Sequence, residues 1–433
     1  MESSIRVGGS PTGRYTSGPT PESDMSTDTL PDHISRPALR RIHPVPVQGE
    51  VADQQGNRQK ATFLGLQDPC MLSPQMMVVP PQAFQVMQLF TGERTIEEIG
   101  AQIKIPDIAP LVDLAKKLDE FGLLWGPTSE ALEEKKKAAL LETGAFPAGA
   151  TRSLGEDPAA IRAQLEKWLD EAEDAGIEEA ISGIVTCHLD YQRGSPIYAS
   201  SYRTIAKGPR PDRVVILGNN HFGLGDGVTV AELGFESPLG RVRADANIIA
   251  RLRAASGEAL FKDMLDHLPE HSIQLQLPWI QHLFGDVPVI AALIPDANAP
   301  LVAEDGARLG IDAFVKVLRD ALAAEGGRTL VIASADLAHA GRAFGDQVAI
   351  AEPQQRDVEK HDRALMKAFI EGAEPFMTAL RASKNVTRWT STGALLAASK
   401  LASPSSVGLI DYRQTVDEQG NALVSAASMA MLA

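Results

Sequence analysis

The most constraining feature of the sequence is a series of short apolar runs that alternate with segments long enough to form helices. The runs are Ile181 to Thr186, Val214 to Leu217, Val287 to Leu293 and Leu330 to Ala333. Alternation of this kind is typical of an α/β domain, in which helices connect and cover the strands of a sheet. We therefore expect an α/β fold over residues 157–433, beginning with a helix that Asp157 caps and Pro158 starts.

The composition excludes several other classes of protein. Apolar residues make up 44% of the 433 residues and charged residues 22%, which is ordinary for a globular chain. The formal net charge of −15 argues against nucleic acid as a partner. Two cysteines cannot build a disulfide framework, and no uncharged apolar run approaches the roughly 18 residues that cross a bilayer. We expect a cytoplasmic protein without a membrane partner.

The sequence before the α/β domain divides into three further segments. Residues 1–44 are rich in Ser, Thr, Pro, Gly and Arg and are expected to form a disordered tail. Residues 45–125 have the alternating pattern of a small folded unit, and residues 126–156 are expected to form a linker that includes a solvated helix.

The small unit combines three predicted helices with short strands, an arrangement that resembles a winged-helix domain. The helices are expected after Pro81, after the N-cap Thr95 and from about Ile108, and a strand is expected near residues 121–125. The stretch Phe90 to Ile99 is also similar to the small peptide-binding domains that accompany radical-SAM enzymes. A packing domain without a ligand is the alternative interpretation, because such folds have many functions.

Three apolar runs lead directly into side chains that can bind a metal or transfer protons. His188 follows the first run, His221 the second, and Asp336 and His339 the fourth. Ligands of open α/β sheets gather at the carboxyl ends of the strands, so these groups can converge on one pocket. The loop that contains Glu270 and His271 could close that pocket. A single histidine at a strand end is more often structural, but several at successive strand ends favour a site.

The other residues that could bind a metal are assigned structural roles. Cys187 is adjacent to His188 on a strand, where neighbouring side chains point to opposite faces, so we do not expect it to be a ligand. The remaining five histidines lie in the tail, beside the loop or on predicted helices: His33, His43, His267, His282 and His361.

The order of these motifs closely resembles the Memo family, whose bacterial members are called AmmeMemoRadiSam system protein B. The segments that carry the resemblance are His188 to Tyr191, Leu217 to His221, Ser237 to Gly240, Glu270 to Pro278 and Asp336 to His339. The resemblance covers residues 157–433 and implies an α/β fold like the catalytic subunit of class III extradiol dioxygenases. It also implies a radical-SAM protein and a companion of the same system as partners.

The resemblance implies specific roles for the pocket residues. His188 and His221 would be metal ligands, and Glu270, His271, Asp336 and His339 would line the pocket as acid–base groups or by orienting the ligands. Family members that bind metal have a cysteine as third ligand before a late helix. Thr387 occupies the matching position here, so the resemblance does not extend to this third ligand.

Three functions are consistent with these residues. The first is a metal-dependent oxidoreductase of extradiol dioxygenase type that acts on a small oxygen-reactive substrate, with iron as the expected metal and copper or zinc as alternatives. The second is a non-catalytic component of a radical-SAM-associated system that binds a metal or a peptide. The third is metal-assisted hydrolysis, for which no separate nucleophile motif is present.

Overall fold

The computed structural model describes residues 30–52, 58–73, 75–223, 227–298 and 308–433. The predicted tail residues 1–29 lie outside these ranges. The described chain forms a mixed α/β structure in which an N-terminal unit precedes a larger domain built on one extended sheet.

In the described residues, the N-terminal unit contains a three-stranded antiparallel sheet in the order β1-β2-β3 and four helices. The strands are β1 (His43–Ala52), β2 (Arg58–Gln67) and β3 (Met77–Val79). The helices are α1 (Asp32–Ser35), α2 (Pro81–Met87), α3 (Ile96–Gln102) and α4 (Ala109–Glu120).

Local sequence signals explain the helices of this unit. Thr95 and Glu98 form a reciprocal capping box at the start of α3, which satisfies backbone N–H groups that the helix itself leaves free. The three helices expected in the small unit are present as α2, α3 and α4. The strand expected at residues 121–125 is reduced to a single bridge between Leu124 and Leu39.

Regular structure is present on both sides of the predicted boundaries of the small unit. Helix α1 and the bridge from Ala38 to Thr91 precede residue 45, because this segment packs on the N-terminal helices and buries Ile34. The predicted linker contains helix α5 (Pro127–Thr143) and strand β4 (Ala145–Phe146). Phe146 is fully buried in the core of the large domain, so the end of this segment is part of that domain.

The large domain contains an eight-stranded mixed sheet in the order β11-β13-β5-β10-β6-β9-β7, with β12 paired to β13. The neighbouring strands β5, β10, β6 and β9 are parallel, whereas β13 is antiparallel to β5 and β7 is antiparallel to β9. The strands of the domain are β5 (Ile181–Thr186), β6 (Arg213–Asn219), β7 (Thr229–Val230), β8 (Gly234–Phe235), β9 (Val289–Ile294), β10 (Thr329–Ser334), β11 (Asp336–Ala340), β12 (Ser406–Val416) and β13 (Leu423–Leu432). Strand β8 pairs with β4 outside this sheet.

Helices cover the sheet and bury two large apolar clusters. They are α6 (Pro158–Glu171), α7 (Tyr191–Ala206), α8 (Ala246–Ser256), α9 (Leu277–Phe284), α10 (Ile311–Glu325), α11 (Glu352–Glu371), α12 (Ala373–Ser383) and α13 (Thr392–Ala402). All residues of β6 and β9 are buried, as expected for parallel strands covered on both faces. Among the described residues, no helix has both the length and the apolar character required to cross a bilayer.

Candidate metal centre

Three histidines meet at the carboxyl end of the parallel strands. His188 follows β5, His221 follows β6, and His271 lies in the loop before α9. One ring nitrogen from each lies within 4.8 Å of the others. The ring centroid of His188 is 5.0 Å from that of His221 and 5.4 Å from that of His271, and the last two are 4.8 Å apart. Three imidazoles at this spacing can bind one metal ion.

His188 is the buried member of this three-histidine cluster. Its Nδ1 is 3.3 Å from Ser334 Oγ at the end of β10, the strand between β5 and β6. Its Nε2 is buried and has no hydrogen-bond partner among the described residues. Burial, followed by the nearby His221, lowers the pKa of His188 to about 3. The imidazole is therefore neutral at pH 7, which is the form that binds metals.

Glu270 orients the other two histidines. Its buried carboxylate lies 3.0 Å from Nδ1 of His221 and 3.4 Å from Nδ1 of His271, and it accepts backbone N–H groups of His221, His271 and Ser272. Burial alone would raise the pKa of Glu270, but the hydrogen bond from His221 and the nearby imidazoles hold this pKa well below its usual value. A carboxylate that binds Nδ1 leaves Nε2 of each ring available to a metal.

His271 is more open to solvent than His188, with 33% of its side chain exposed. Burial and the neighbouring His188 nevertheless lower the pKa of His271 to about 4, so this ring is also neutral at pH 7. The cluster thus has one buried member, His188, and a more accessible side at His271.

Asp336 lies close to Nε2 of His188, the ring nitrogen that forms no hydrogen bond among the described residues. Its Oδ1 accepts the backbone N–H of His188 at 2.9 Å, and its Oδ2 lies 3.6 Å from Nε2 of that residue. Burial raises the pKa of Asp336, although the hydrogen bond from His188 acts in the opposite direction. A carboxylate whose pKa is raised in this position is suited to accept and return a proton.

His339 and Thr387 lie on strand β11 and the loop opposite it. The backbone N–H of His339 donates to the carbonyl of Thr387 at 2.8 Å, and Nδ1 of His339 is 3.2 Å from the carbonyl of Leu337. Burial lowers the pKa of His339, whereas Asp336 acts to raise it. Among the described residues, the group that can hold a metal contains neither His339 nor a cysteine.

The structure brings most of the predicted site residues together but arranges them differently from the predicted ligand set. His188 and His221 are joined by His271, which the sequence suggested as an acid–base group, and Glu270 contacts two of the three rings. The buried hydrogen bonds of Ser334 to Ser272 and Gln276 were missed. The sequence signal that could have indicated these hydrogen bonds is the position of Ser334 at the end of β10.

The residues assigned structural roles lie outside the three-histidine cluster. Cys187 is fully buried, and its Sγ is 3.7 Å from the carbonyl of Gly194. His267 packs against Phe146 and Phe235. His282 contacts Glu166 at 2.8 Å near the surface.

The donor set fits a divalent transition metal. Neutral imidazoles suit iron, copper and zinc, and the unpartnered Nε2 of His188 is a buried polar atom that a metal would satisfy. The hydrogen bond from His221 to Glu270 matches the carboxylate–histidine arrangement that orients metal ligands. The fold and this cluster define an α/β protein with a candidate three-histidine metal centre.

Comparison with known proteins identifies the family. The model of the Memo-like protein family matches residues 146–430, more than half of the chain, and the chain therefore belongs to the Memo family. The match begins at Phe146, which agrees with the burial of this residue in the large domain.

Similar proteins of other organisms carry the name MEMO1 family protein. A MEMO1 family protein of Aquifex aeolicus is 27% identical over 75% of this chain and 83% of its own length. MEMO1 family proteins of Thermotoga neapolitana and Pyrobaculum arsenaticum are 34% and 29% identical, over 43% and 56% of this chain and 64% and 79% of their own lengths.

Proposed function

We propose that this protein binds one divalent transition metal through His188, His221 and His271 and is an oxidoreductase of extradiol dioxygenase type acting on a small oxygen-reactive substrate. The observation that carries the proposal is the group of three convergent imidazoles, in which the buried Nε2 of His188 forms no hydrogen bond among the described residues although Oδ2 of Asp336 lies 3.6 Å away. An unsatisfied buried nitrogen costs about 1 to 3 kcal/mol, and a bound metal removes this cost.

Iron is the proposed metal. If His188, His221 and His271 held ferrous iron, the metal would supply redox chemistry toward dioxygen and an electron-rich substrate. The protein's own side chains would orient the ligands and transfer the proton. Glu270 keeps two imidazoles in orientation, and Asp336 accepts a proton from a substrate hydroxyl group near Nε2 of His188. His271 is part of the accessible side from which a substrate would enter.

Metal analysis tests the binding step. Protein purified without added metal should contain about one equivalent of metal, and His188→Ala, His221→Ala and His271→Ala should each lose most of it. His282→Ala is the matched control, because His282 also contacts a glutamate but lies outside the three-histidine cluster. Equal metal content in all four variants and the wild type would contradict the assignment.

Oxygen consumption tests the chemistry. Protein loaded anaerobically with ferrous iron should consume oxygen in the presence of a suitable catechol, and Asp336→Asn should retain the metal but lose about 100- to 10,000-fold in rate, as for a general acid or base. Absence of uptake with every diol would favour the non-catalytic component that binds a metal or a peptide.

Metal-assisted hydrolysis is a second candidate, because the three-histidine cluster contains imidazoles alone. Three histidines are a ligand set of catalytic zinc, which lowers the pKa of bound water. Zinc in the native protein, together with ester hydrolysis that His271→Ala abolishes, would support this function over the oxidoreductase.

We also propose that this protein associates with a radical-SAM protein. The Memo family resemblance supports association with a radical-SAM protein, which affinity purification of the full chain from its native host would test. Failure to recover a radical-SAM protein at native expression levels would argue against this partner.

A further inference from the structure

The N-terminal unit reaches the loop that carries His221. Nη2 of Arg41, two residues before β1, donates to the carbonyl oxygen of His221 at 2.6 Å, and Nη1 donates to the carbonyl of Gly223. The imidazole of His43 packs edge-on against Phe222, with the ring centroids 5.6 Å apart. Two residues of one unit therefore contact three consecutive residues of the other.

Side chains of the large domain bind other polar groups in the described part of this loop. Ser272 Oγ accepts the backbone N–H of Asn219, Asn220 donates to Asp266 at 2.9 Å, and Glu270 accepts the N–H of His221. Gly223 fits because it has no side chain: an added Cβ would lie 1.8 Å from Oδ2 of Asp266. Arg41 extends this set of anchors to the carbonyl side of the loop.

Phe222 connects the N-terminal unit to the three-histidine cluster. Its ring lies 6.0 Å from that of His221 and 6.2 Å from that of His271, and it contacts His43 on the N-terminal unit. The phenyl ring is thus a side wall of the cluster, supported by an imidazole from outside the large domain.

We propose that the N-terminal unit completes the metal centre, with Arg41 positioning the loop of His221 and His43 supporting the Phe222 wall. This inference rests on the proposed metal binding and adds a role for a segment that lies outside the Memo match. It predicts that metal affinity and ligand geometry depend on residues that do not themselves contact the metal.

The key experiment compares three arginine variants of the full chain. Arg41→Ala removes both hydrogen bonds, Arg41→Lys keeps the charge but lacks the planar pair of donors, and Arg36→Ala is the control. Arg36 is also exposed and donates to a backbone carbonyl, that of Glu93, within the N-terminal unit. The measurements are Co²⁺ affinity by competition with a chelator and the visible absorption spectrum of the Co²⁺ form.

A positioning role and a purely electrostatic role of Arg41 predict opposite changes in Co²⁺ affinity. If Arg41 positions the loop, Arg41→Ala should weaken Co²⁺ binding by about 10-fold, as for groups that orient metal ligands, and change the spectrum, whereas Arg41→Lys should fall between it and wild type. If Arg41 acts only as a positive charge near a cation, Arg41→Ala should bind Co²⁺ more tightly, which would overturn the proposal. Unchanged binding and spectrum would also overturn it.

A second pair of variants tests the wall. His43→Ala should change the Co²⁺ spectrum, whereas His43→Phe should preserve it because an aromatic ring still packs against Phe222. Identical spectra for both variants and the wild type would contradict a role for His43. Failure of the wild type to bind Co²⁺ would instead disprove the metal binding on which the inference rests, so the two failures are distinguishable.

Discussion

Glu270 is the residue on which the proposed metal centre depends most. It is fully buried as a side chain, contacts the Nδ1 atoms of His221 and His271, and accepts three backbone N–H groups from the same region. One carboxylate therefore fixes the orientation of two rings and the path of two loops.

Replacement of this carboxylate should weaken metal binding without removing a ligand. We expect Glu270→Gln to reduce metal affinity by about 10- to 100-fold, because the amide cannot orient both imidazoles as the carboxylate does. Isothermal titration with Co²⁺ measures the loss, and circular dichroism verifies the fold. Glu166→Gln, which alters the carboxylate that contacts His282, is the matched control and should bind Co²⁺ like the wild type. Full affinity in Glu270→Gln would contradict this role.

Asp266 is a second residue with a measurable effect, which is on the pH dependence of the stability of the protein. Burial raises the pKa of Asp266 from 3.8 to about 7, with the hydrogen bond from Asn220 acting in the opposite direction. The unfolded chain loses this proton at a lower pH than the folded protein. The contribution of Asp266 to stability is therefore present below pH 4 and is lost as the pH rises to about 7.

Asp266→Asn should remove this pH dependence. The unfolding free energy of the wild type relative to the variant should fall by up to about 4 kcal/mol between pH 4 and pH 7. Urea unfolding of both proteins with a chelator present measures the difference and cancels contributions from the shared histidines. A difference that is constant across this range would show that Asp266 ionises normally in the folded protein.

At the scale of elements, helix α13 begins in direct contact with the end of strand β9. Thr392 donates to Asp296 at 2.8 Å and accepts the N–H of Ala297. Gly393 permits this approach, because a Cβ there would lie 1.8 Å from the carbonyl oxygen of Pro295. The close packing fixes the helix against the carboxyl edge of the sheet.

Gly393→Ala should separate these elements and destabilise the fold by about 1 to 3 kcal/mol, as overpacking does. Gly408→Ala in β12 is the control, since a Cβ at that position would meet no atom within 4 Å. Thermal unfolding of both variants measures the effect. Equal unfolding temperatures for the two variants would show that the helix shifts without cost.

At the scale of the whole molecule, metal binding should stabilise the folded chain. A ligand that binds only the folded state at 100 times its Kd adds about 2.7 kcal/mol to the free energy of unfolding. The wild type should gain this stability with Co²⁺ in denaturant unfolding, and His188→Ala should not. Equal gains in both proteins would place the metal elsewhere.

The sequence predicted much of the architecture because the relevant signals are local. Apolar runs at helix-length intervals correspond to β5, β6, β9 and β10, and the capping signal at Thr95 starts α3. The boundary at residue 44 stays a prediction, and the bridges from Ala38 to Thr91 and from Leu39 to Leu124 join residues just before it to distant parts of the chain. Such pairings leave no periodic pattern in the sequence.

The sequence by itself determined the α/β class, the family resemblance and the positions of His188 and His221 after two strands. Only the tertiary structure decided that His271 joins them, that Asp336 faces Nε2 of His188, and that Arg41 holds the loop of His221. The physical reason is that strand ends follow from local hydrophobic patterning, whereas convergence of side chains depends on the parallel register of β5, β10 and β6 and on hydrogen bonds between distant segments.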